Sequence, residues 1–279
     1  MSASAPVRPV TLVRPRSGLF DLGLGEVWRH RELLYFLVWR DLKVRYAQAA
    51  LGVAWAVIQP LLAVTIFTVI FGVFARLPSD GLPYPVFALA AIVPWTYFSE
   101  AVRRSAFGLV GDAELVKKVY FPRLVIPLAN AVSPLLDFAA SLVLLLAMMA
   151  WYGIWPTPAL LALPVLLAMT AALALSIGLW IGPVNVRFRD VMHTVPFALQ
   201  IWMYATPIVY PLSMVPERFR LLYSLNPTVG LIEGFRWALL GHGAPDSQAL
   251  ALSAVVIAAL LAGGLVWFRH AERSFADVI

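Results

Sequence analysis

Residues 51–75 read LGVAWAVIQPLLAVTIFTVIFGVFA, an unbroken run from Leu51 to Ala75 without one Asp, Glu, Lys or Arg. A helix crosses a hydrocarbon core of about 30 Å with about 20 residues, so this run is long enough to span a bilayer. The pattern recurs along the chain. Apolar segments at 84–102, 124–151, 158–183, 191–211 and 249–268 bring the expected number of spans to six. Pro60, Pro94, Pro127, Pro134, Pro164, Pro196 and Pro207 fall within them. Neighbouring helices can satisfy the carbonyls that proline frees, so kinks are expected and breaks are not.

Composition agrees with an integral membrane protein. The 279 residues are 61% hydrophobic and 13% charged, with a mean hydropathy of +0.83. Soluble domains carry about 25% charged residues. The net charge of +6 is scattered among apolar runs, so it reports orientation and no nucleic-acid partner is expected. Of the 21 Lys and Arg, 17 lie on the side of the two termini, and Arg76, Arg218, Arg220 and Arg236 make four on the other. By the positive-inside rule both termini are cytoplasmic. The absence of cysteine removes disulfides, thiol nucleophiles and Cys-based metal sites.

Residues 1–25, rich in Pro, Ser and Arg, lack the apolar core of a signal peptide and read as a flexible cytoplasmic tail. Residues 26–279 read as one domain. From 27 to 46 the pattern is helical, with Leu34, Tyr35, Val38, Trp39, Leu42 and Tyr46 on one face and Arg29, Glu32, Arg40 and Lys43 on the other. Too charged to span, this segment reads as an amphipathic interface helix. Between the fifth and sixth spans, 213–241 predicts two short outward helices. The second has Asn226 as N-cap, Pro227 at the first helical position and Gly241 as its stop. It is too short to span and too apolar for water, so it reads either as half-inserted and able to close a passage or as a plain cap on the bundle.

Few groups offer chemistry. The sequence holds no Gly-Lys pair, hence no phosphate-binding P-loop. His30, His193, His242 and His270 are isolated, and no metal site is expected. Asp137 is the one carboxylate well inside a span, with Glu100 near the end of the second. Burying such a group costs about 2.5–3.5 kcal/mol, so Asp137 reads as a partner for a basic residue, a hydrogen-bond acceptor or the lining of a wet cavity. Trp151, Tyr152 and Trp155 fit an interfacial belt. Trp95, Tyr97, Phe98, Trp202 and Tyr204 lie deeper, where they line a sugar-compatible route or pack helix on helix. The loop from Glu114 to Arg123, with Lys117, Lys118, Tyr120 and Phe121, reads either as a docking surface or as a positive-inside anchor.

Several blocks carry a resemblance. These are Arg40-Asp41-Leu42-Lys43-Val44-Arg45-Tyr46, Leu51-Gly52-Val53-Ala54-Trp55, and Leu115-Val116-Lys117-Lys118-Val119-Tyr120-Phe121-Pro122-Arg123. Arg187-Phe188-Arg189-Asp190, Asn226-Pro227 with Glu233-Gly234-Phe235-Arg236, and the closing Phe275-Ala276-Asp277-Val278-Ile279 complete the set. The chain from about residue 29 onward resembles the type-2 ABC exporter permeases that move O-antigen, capsule and teichoic-acid polysaccharides. The resemblance implies an all-α membrane protein of the bacterial inner membrane that forms a homodimer and works with two separate ATPase subunits. Those partners would bind ATP and Mg, while this chain would hold no cofactor and be no enzyme.

By the same resemblance, 108–123 is a coupling loop whose stretch from about Asp112 to Tyr120 is the coupling helix, with Asp112, Glu114, Leu115, Lys117, Lys118, Val119, Tyr120 and Phe121 meeting the ATPase. Residues 103–111 form a gate segment, and Asn226, Glu233, Phe235 and Arg236 belong to a periplasmic gate. The implied cargo is undecaprenyl-diphosphate-linked polysaccharide. Arg45, Arg103 and Arg104 are candidates for attracting its diphosphate, and Trp95, Tyr97, Phe98, Asp137, Trp202 and Tyr204 for lining its channel. A drug or lipid exporter, a secondary carrier and a membrane-embedded transferase are the alternatives. A carrier calls for an ionisable relay and a transferase for a carboxylate or histidine cluster, neither of which the sequence offers.

Overall fold

The computed structural model describes residues 24–47, 54–241, 246–272 and 275. The expected tail, the start of the 51–75 span, His242 and the closing residues 276–279 lie outside them. Among the described residues all regular structure is helical. Helices α1 (Leu24–Arg29) and α2 (Arg31–Ala47) cover the stretch whose pattern predicts a helix from 27 to 46. Helix α3 (Trp55–Phe67) continues through a π-helical stretch, Thr68–Phe74. Then come α4 (Tyr84–Gly111), α5 (Ala113–Lys118), α6 (Val125–Val132) and α7 (Leu135–Trp151). A 3-10 turn, Pro158–Ala162, leads into α8 (Leu163–Arg187), followed by α9 (Val191–Tyr204). Helices α10 (Glu217–Ser224), α11 (Pro227–Leu240) and α12 (Ser247–Ala271) close the fold.

Among the described residues, five segments are long and apolar enough to cross a membrane: Trp55–Phe74, Tyr84–Gly111, Val125–Trp151, Pro158–Arg187 and Ser247–Ala271. The expected fifth span, 191–211, differs. Its helix ends at Tyr204 after 14 residues, or about 21 Å, and turns fill 205–210. Pro207 accounts for the stop, because it disfavours helical geometry at Thr206 and cannot donate to the ladder. Proline acts again in the third span, where Ser133 and Pro134 separate α6 from α7. Pro60, Pro94, Pro183 and Pro196 sit inside continuous helices.

Helix α4 is the axis of the fold. It packs against α3, α6, α7, α8 and α11, and from Val86 to Trp95 every residue is buried. Helices cannot gain hydrophobic energy from each other in lipid, so close packing and interhelical hydrogen bonds hold them. The α4–α8 crossing illustrates this. A Cβ added at Gly178 would lie 2.3 Å from the Ser105 Cβ, so only glycine permits this approach. Ser105 in turn donates to the Pro127 carbonyl at 3.1 Å, and Asn185 on α8 donates to the Ala106 carbonyl at 3.3 Å.

The amphipathic pattern of α2 is divided differently from the expected one. Leu37 is buried with Leu34 and Val38 packed beside it, whereas Tyr35, Phe36, Trp39 and Val44 are exposed. Leu34, Leu37 and Val38 meet the α6 side and Tyr35, Phe36 and Trp39 face outward, where a bilayer interface suits them. Helix α11 is no surface cap. Twelve of its 14 residues are buried, and it packs against α4, α8 and α12. Its ends follow the sequence: the Asn226 side chain accepts from the Thr228 amide, and Gly241 has φ of 64°.

Candidate functional site

A polar recess lies between the end of α2, the start of α3, the middle of α4 and the start of α7. It encloses about 600 Å³ and gathers Arg45, Tyr46, Gln59, Glu100, Arg103, Arg104 and Asp137, with Trp55 and Tyr97 among its walls. Residues read separately from sequence thus share one space. Arg45 pairs through Nη1 with Asp137 Oδ2, and the Tyr46 hydroxyl donates to Asp137 Oδ1. Asp137 is therefore partnered twice by α2. Burial first, and then the bond to Asp137, pushes the Tyr46 hydroxyl up to about 12, so it remains a donor at neutral pH.

Arg103 and Arg104 converge on Glu100 one turn below them. Arg103 Nη2 lies 2.7 Å from Glu100 Oε2 and Arg104 Nε 2.6 Å from Oε1. The recess thus holds three guanidinium groups against two carboxylates and keeps a positive excess. Nε and Nη2 of Arg45 are buried without a hydrogen-bond partner. A buried donor left unsatisfied costs about 1–3 kcal/mol.

The aromatic set has a different character from an open route. Trp95, Tyr97 and Phe98 are 6%, 2% and 2% exposed. Trp95 and Phe98 are in ring contact, Phe98 meets Trp202 edge-on at 5.4 Å, and Tyr97 meets Phe138 at 5.7 Å. Their polar tips are already used: Tyr97 donates to the Ala131 carbonyl at 3.1 Å, and Trp202 Nε1 donates to Asn226 Oδ1 at 2.8 Å. Within one chain these four are packing residues. Tyr204 alone of the aromatic set is exposed, at 52%. It lies on an outward stripe of α9 with His193, Phe197 and Gln200, spaced four, three and four residues apart. The sequence reading missed Gln200, although a polar side chain midway along an apolar helix is the signal that marks it.

At the α11 end, Asn226 joins the end of α9 to α11. Its Nδ2 donates to the Ala205 carbonyl at 3.1 Å, and its Oδ1 accepts from Trp202 and from Thr228 Oγ1 at 2.7 Å. Arg236 is buried. Its Nη1 donates to Glu233 Oε1 and its Nη2 to the Ile208 carbonyl, both at 2.8 Å, and its guanidinium lies 3.7 Å above the Phe87 ring. Tyr84 of α4 donates to the Val209 carbonyl at 2.8 Å. The turn after α9 is therefore clamped from two helices. Phe235 is fully buried against Phe138.

At the opposite end, α5 projects from the body. Glu114 and Lys118 pair across it at 2.8 Å, both highly exposed. Tyr120 is 81% exposed and Val119 48%, but Phe121 is only 6% exposed. Of the two expected aromatic anchors only Tyr120 is available. Phe121 belongs to a cluster with Leu37, Leu109, Leu124, Phe268 and Phe275, because α2, the end of α12 and Phe275 pack over it. Leu115 packs on the rim of that cluster. Asp112 is held by Arg40 at 2.9 Å, tying α2 to the α4–α5 corner. That bond to Asp112, opposed by burial and supported by Asp41, raises the Arg40 guanidinium above its ordinary value. Arg123 reaches the backbone carbonyl of Glu272 and lies over the Phe275 ring.

Residues 32–240 match the family model described as ABC-2 type transporter. The chain is 33% identical over 258 residues to the O-antigen export system permease protein RfbA of Myxococcus xanthus, spanning 91% of this chain and 98% of the relative. A Klebsiella pneumoniae protein of the same name is 28% identical over 249 residues, 89% of this chain and 95% of the relative. The polysialic acid transport protein KpsM of Escherichia coli is 25% identical over 240 residues, 84% and 92% of the two chains.

Proposed function

Because this chain belongs to the ABC-2 type transporter family, we propose that it is the permease subunit of an ATP-driven exporter of polysaccharide, of the O-antigen type. The observation that carries this reading is the nearly full-length similarity to O-antigen permeases, which leaves no large part of either chain unaccounted for. Two copies form a homodimer in the bacterial inner membrane with two ATPase subunits on the cytoplasmic face, where ATP and Mg are bound. This chain is no enzyme. Both termini are cytoplasmic, and the α9 helix with its following turn completes a sixth crossing. The cargo is an undecaprenyl-diphosphate-linked polysaccharide, and capsule export, as the similarity to KpsM favours, is the second reading.

Each region then has a task. Asp112, Glu114, Lys117, Lys118, Val119 and Tyr120 meet the ATPase, with Leu115 and Phe121 fixing α5 to the body. The recess of Arg45, Arg103 and Arg104 receives the lipid diphosphate. Asn226, Glu233, Phe235 and Arg236 hold the outer helix pair that closes the periplasmic exit. Exposed Gln200, Tyr204 and His193 are costly against lipid, which supports a second copy facing this stripe and enclosing a polar path for sugar. The test is to co-express the chain with the ATPase of its own export locus and purify the pair. ATP turnover by the complex and none by this chain alone, with surface polysaccharide lost on deletion, is expected. An intact polysaccharide coat after deletion refutes the reading.

A further inference from the structure

We propose that Asp137 is a built-in counter-anion that occupies Arg45 while the recess is empty and is displaced when a diphosphate group binds there. The proposal rests on the reading of the recess as the place where the cargo's headgroup is received. Its basis is how the three arginines are held. Arg103 and Arg104 share Glu100, a carboxylate on their own helix, through Nε and Nη2 of the first and Nε of the second. That arrangement is local to α4. Arg45 is held across 92 residues of sequence, from α2 to α7, through Nη1 alone.

A guanidinium presents five N–H donors in a planar fork suited to two parallel bonds. Asp137 engages a single arm of that fork, and its second oxygen accepts from the Tyr46 hydroxyl. Nε and Nη2 of Arg45 stay buried and unmatched. The carboxylate therefore balances the charge of Arg45 without saturating its donors. A phosphate group has more acceptor oxygens and more charge, so it engages both unmatched donors at once. The Tyr46 hydroxyl, released from Asp137, becomes a further donor to the same anion. Exchange replaces one bond to Arg45 with two or more and fills two donors that are otherwise unsatisfied.

The consequence is selectivity. An anion that cannot outbid an intramolecular carboxylate, such as chloride or a lipid carboxylate, leaves Arg45 on Asp137. Displacement also separates α2 from α7, so binding at the recess is felt by the helix that Arg40 joins to the α4–α5 corner.

The test uses the full chain in nanodiscs of neutral lipid, free of nucleotide and Mg, with inorganic pyrophosphate and farnesyl diphosphate as probes. Saturable binding is expected for the wild type, loss in Arg45→Gln, and about tenfold tighter binding in Asp137→Asn, the size of one charge-assisted hydrogen bond. Asp137→Glu keeps the competing carboxylate and stays near the wild type. Equal binding by Asp137→Asn and wild type, with Arg45→Gln still inactive, overturns the counter-anion and leaves the anion site standing. No saturable binding by any of the proteins overturns the site itself. Should Asp137→Asn fail to fold, difference infrared spectroscopy on the wild type replaces it. Pyrophosphate must then shift a carboxylate stretching band, and an unchanged band refutes the proposal.

Discussion

Replacing Arg236 by methionine removes a charge whose side chain is 7% exposed while keeping most of its length. Three contacts go with it: the pair with Glu233, the bond to the Ile208 carbonyl and the stacking over Phe87. Breaking a buried ion pair from one side costs about 3–5 kcal/mol, mostly because the remaining charge is stranded. Glu233, with its side chain 24% exposed, is that stranded charge. Taking about 2 °C per kcal/mol for a chain of this size, the unfolding midpoint in nanodiscs at a fixed scan rate should fall by about 6–10 °C. The double variant Arg236→Met with Glu233→Leu strands no charge and orphans only the Ile208 carbonyl, a loss of about 1–3 kcal/mol. Its midpoint should therefore lie between the single variant and the wild type. A single variant that loses less than about 2 °C, or a double variant no better than the single, would refute this account of how α11 is anchored.

The two aromatics beyond α5 should part company. Tyr120→Ala should leave the unfolding midpoint unchanged and abolish co-purification with the ATPase, while Phe121→Ala should cost about 3–5 kcal/mol from the cavity it leaves. Gly178→Val should prevent α8 from closing on Ser105 and yield aggregated protein by size-exclusion chromatography, whereas Gly25→Ala, with open space around its Cβ, should elute normally. Arg40→Ala breaks a half-exposed pair worth at most about 1 kcal/mol, so its midpoint should hold while ATP turnover becomes insensitive to cargo.

Local signals carried far in this sequence. The run from Leu51 to Ala75, the Asn226-Pro227 cap and the Gly241 stop are each decided within a few residues, and the structure follows all that it describes of them. The α5 helix was visible too, as a charged interruption between apolar runs. Long-range choices were not legible. Nothing near Asp137 announces that Arg45 and Tyr46 will meet it, since the contact depends on where α2 lies against α7. Tyr120 and Phe121 look alike in sequence, and only the closure of Phe268 and Phe275 over one of them separates their exposures. The deep aromatics left two readings open for a related reason: Trp202 and Tyr97 need polar partners, and Asn226 and the Ala131 carbonyl supply them from distant helices.

The 28 residues of α4 give it a length of about 42 Å, well beyond the hydrocarbon thickness, and Pro94 does not interrupt it. Such a helix behaves as a push rod. At one end it adjoins Asp112, the residue that Arg40 holds beside the projecting α5; at the other, Tyr84 grips the backbone at Val209. A rod that does not shorten turns any thrust at its inner end into displacement or tilt at its outer end. If the ATPase drives α5 as proposed, a stroke delivered there would arrive at the turn beneath α11 mechanically, with no hydrogen bond inside α4 exchanged along the way.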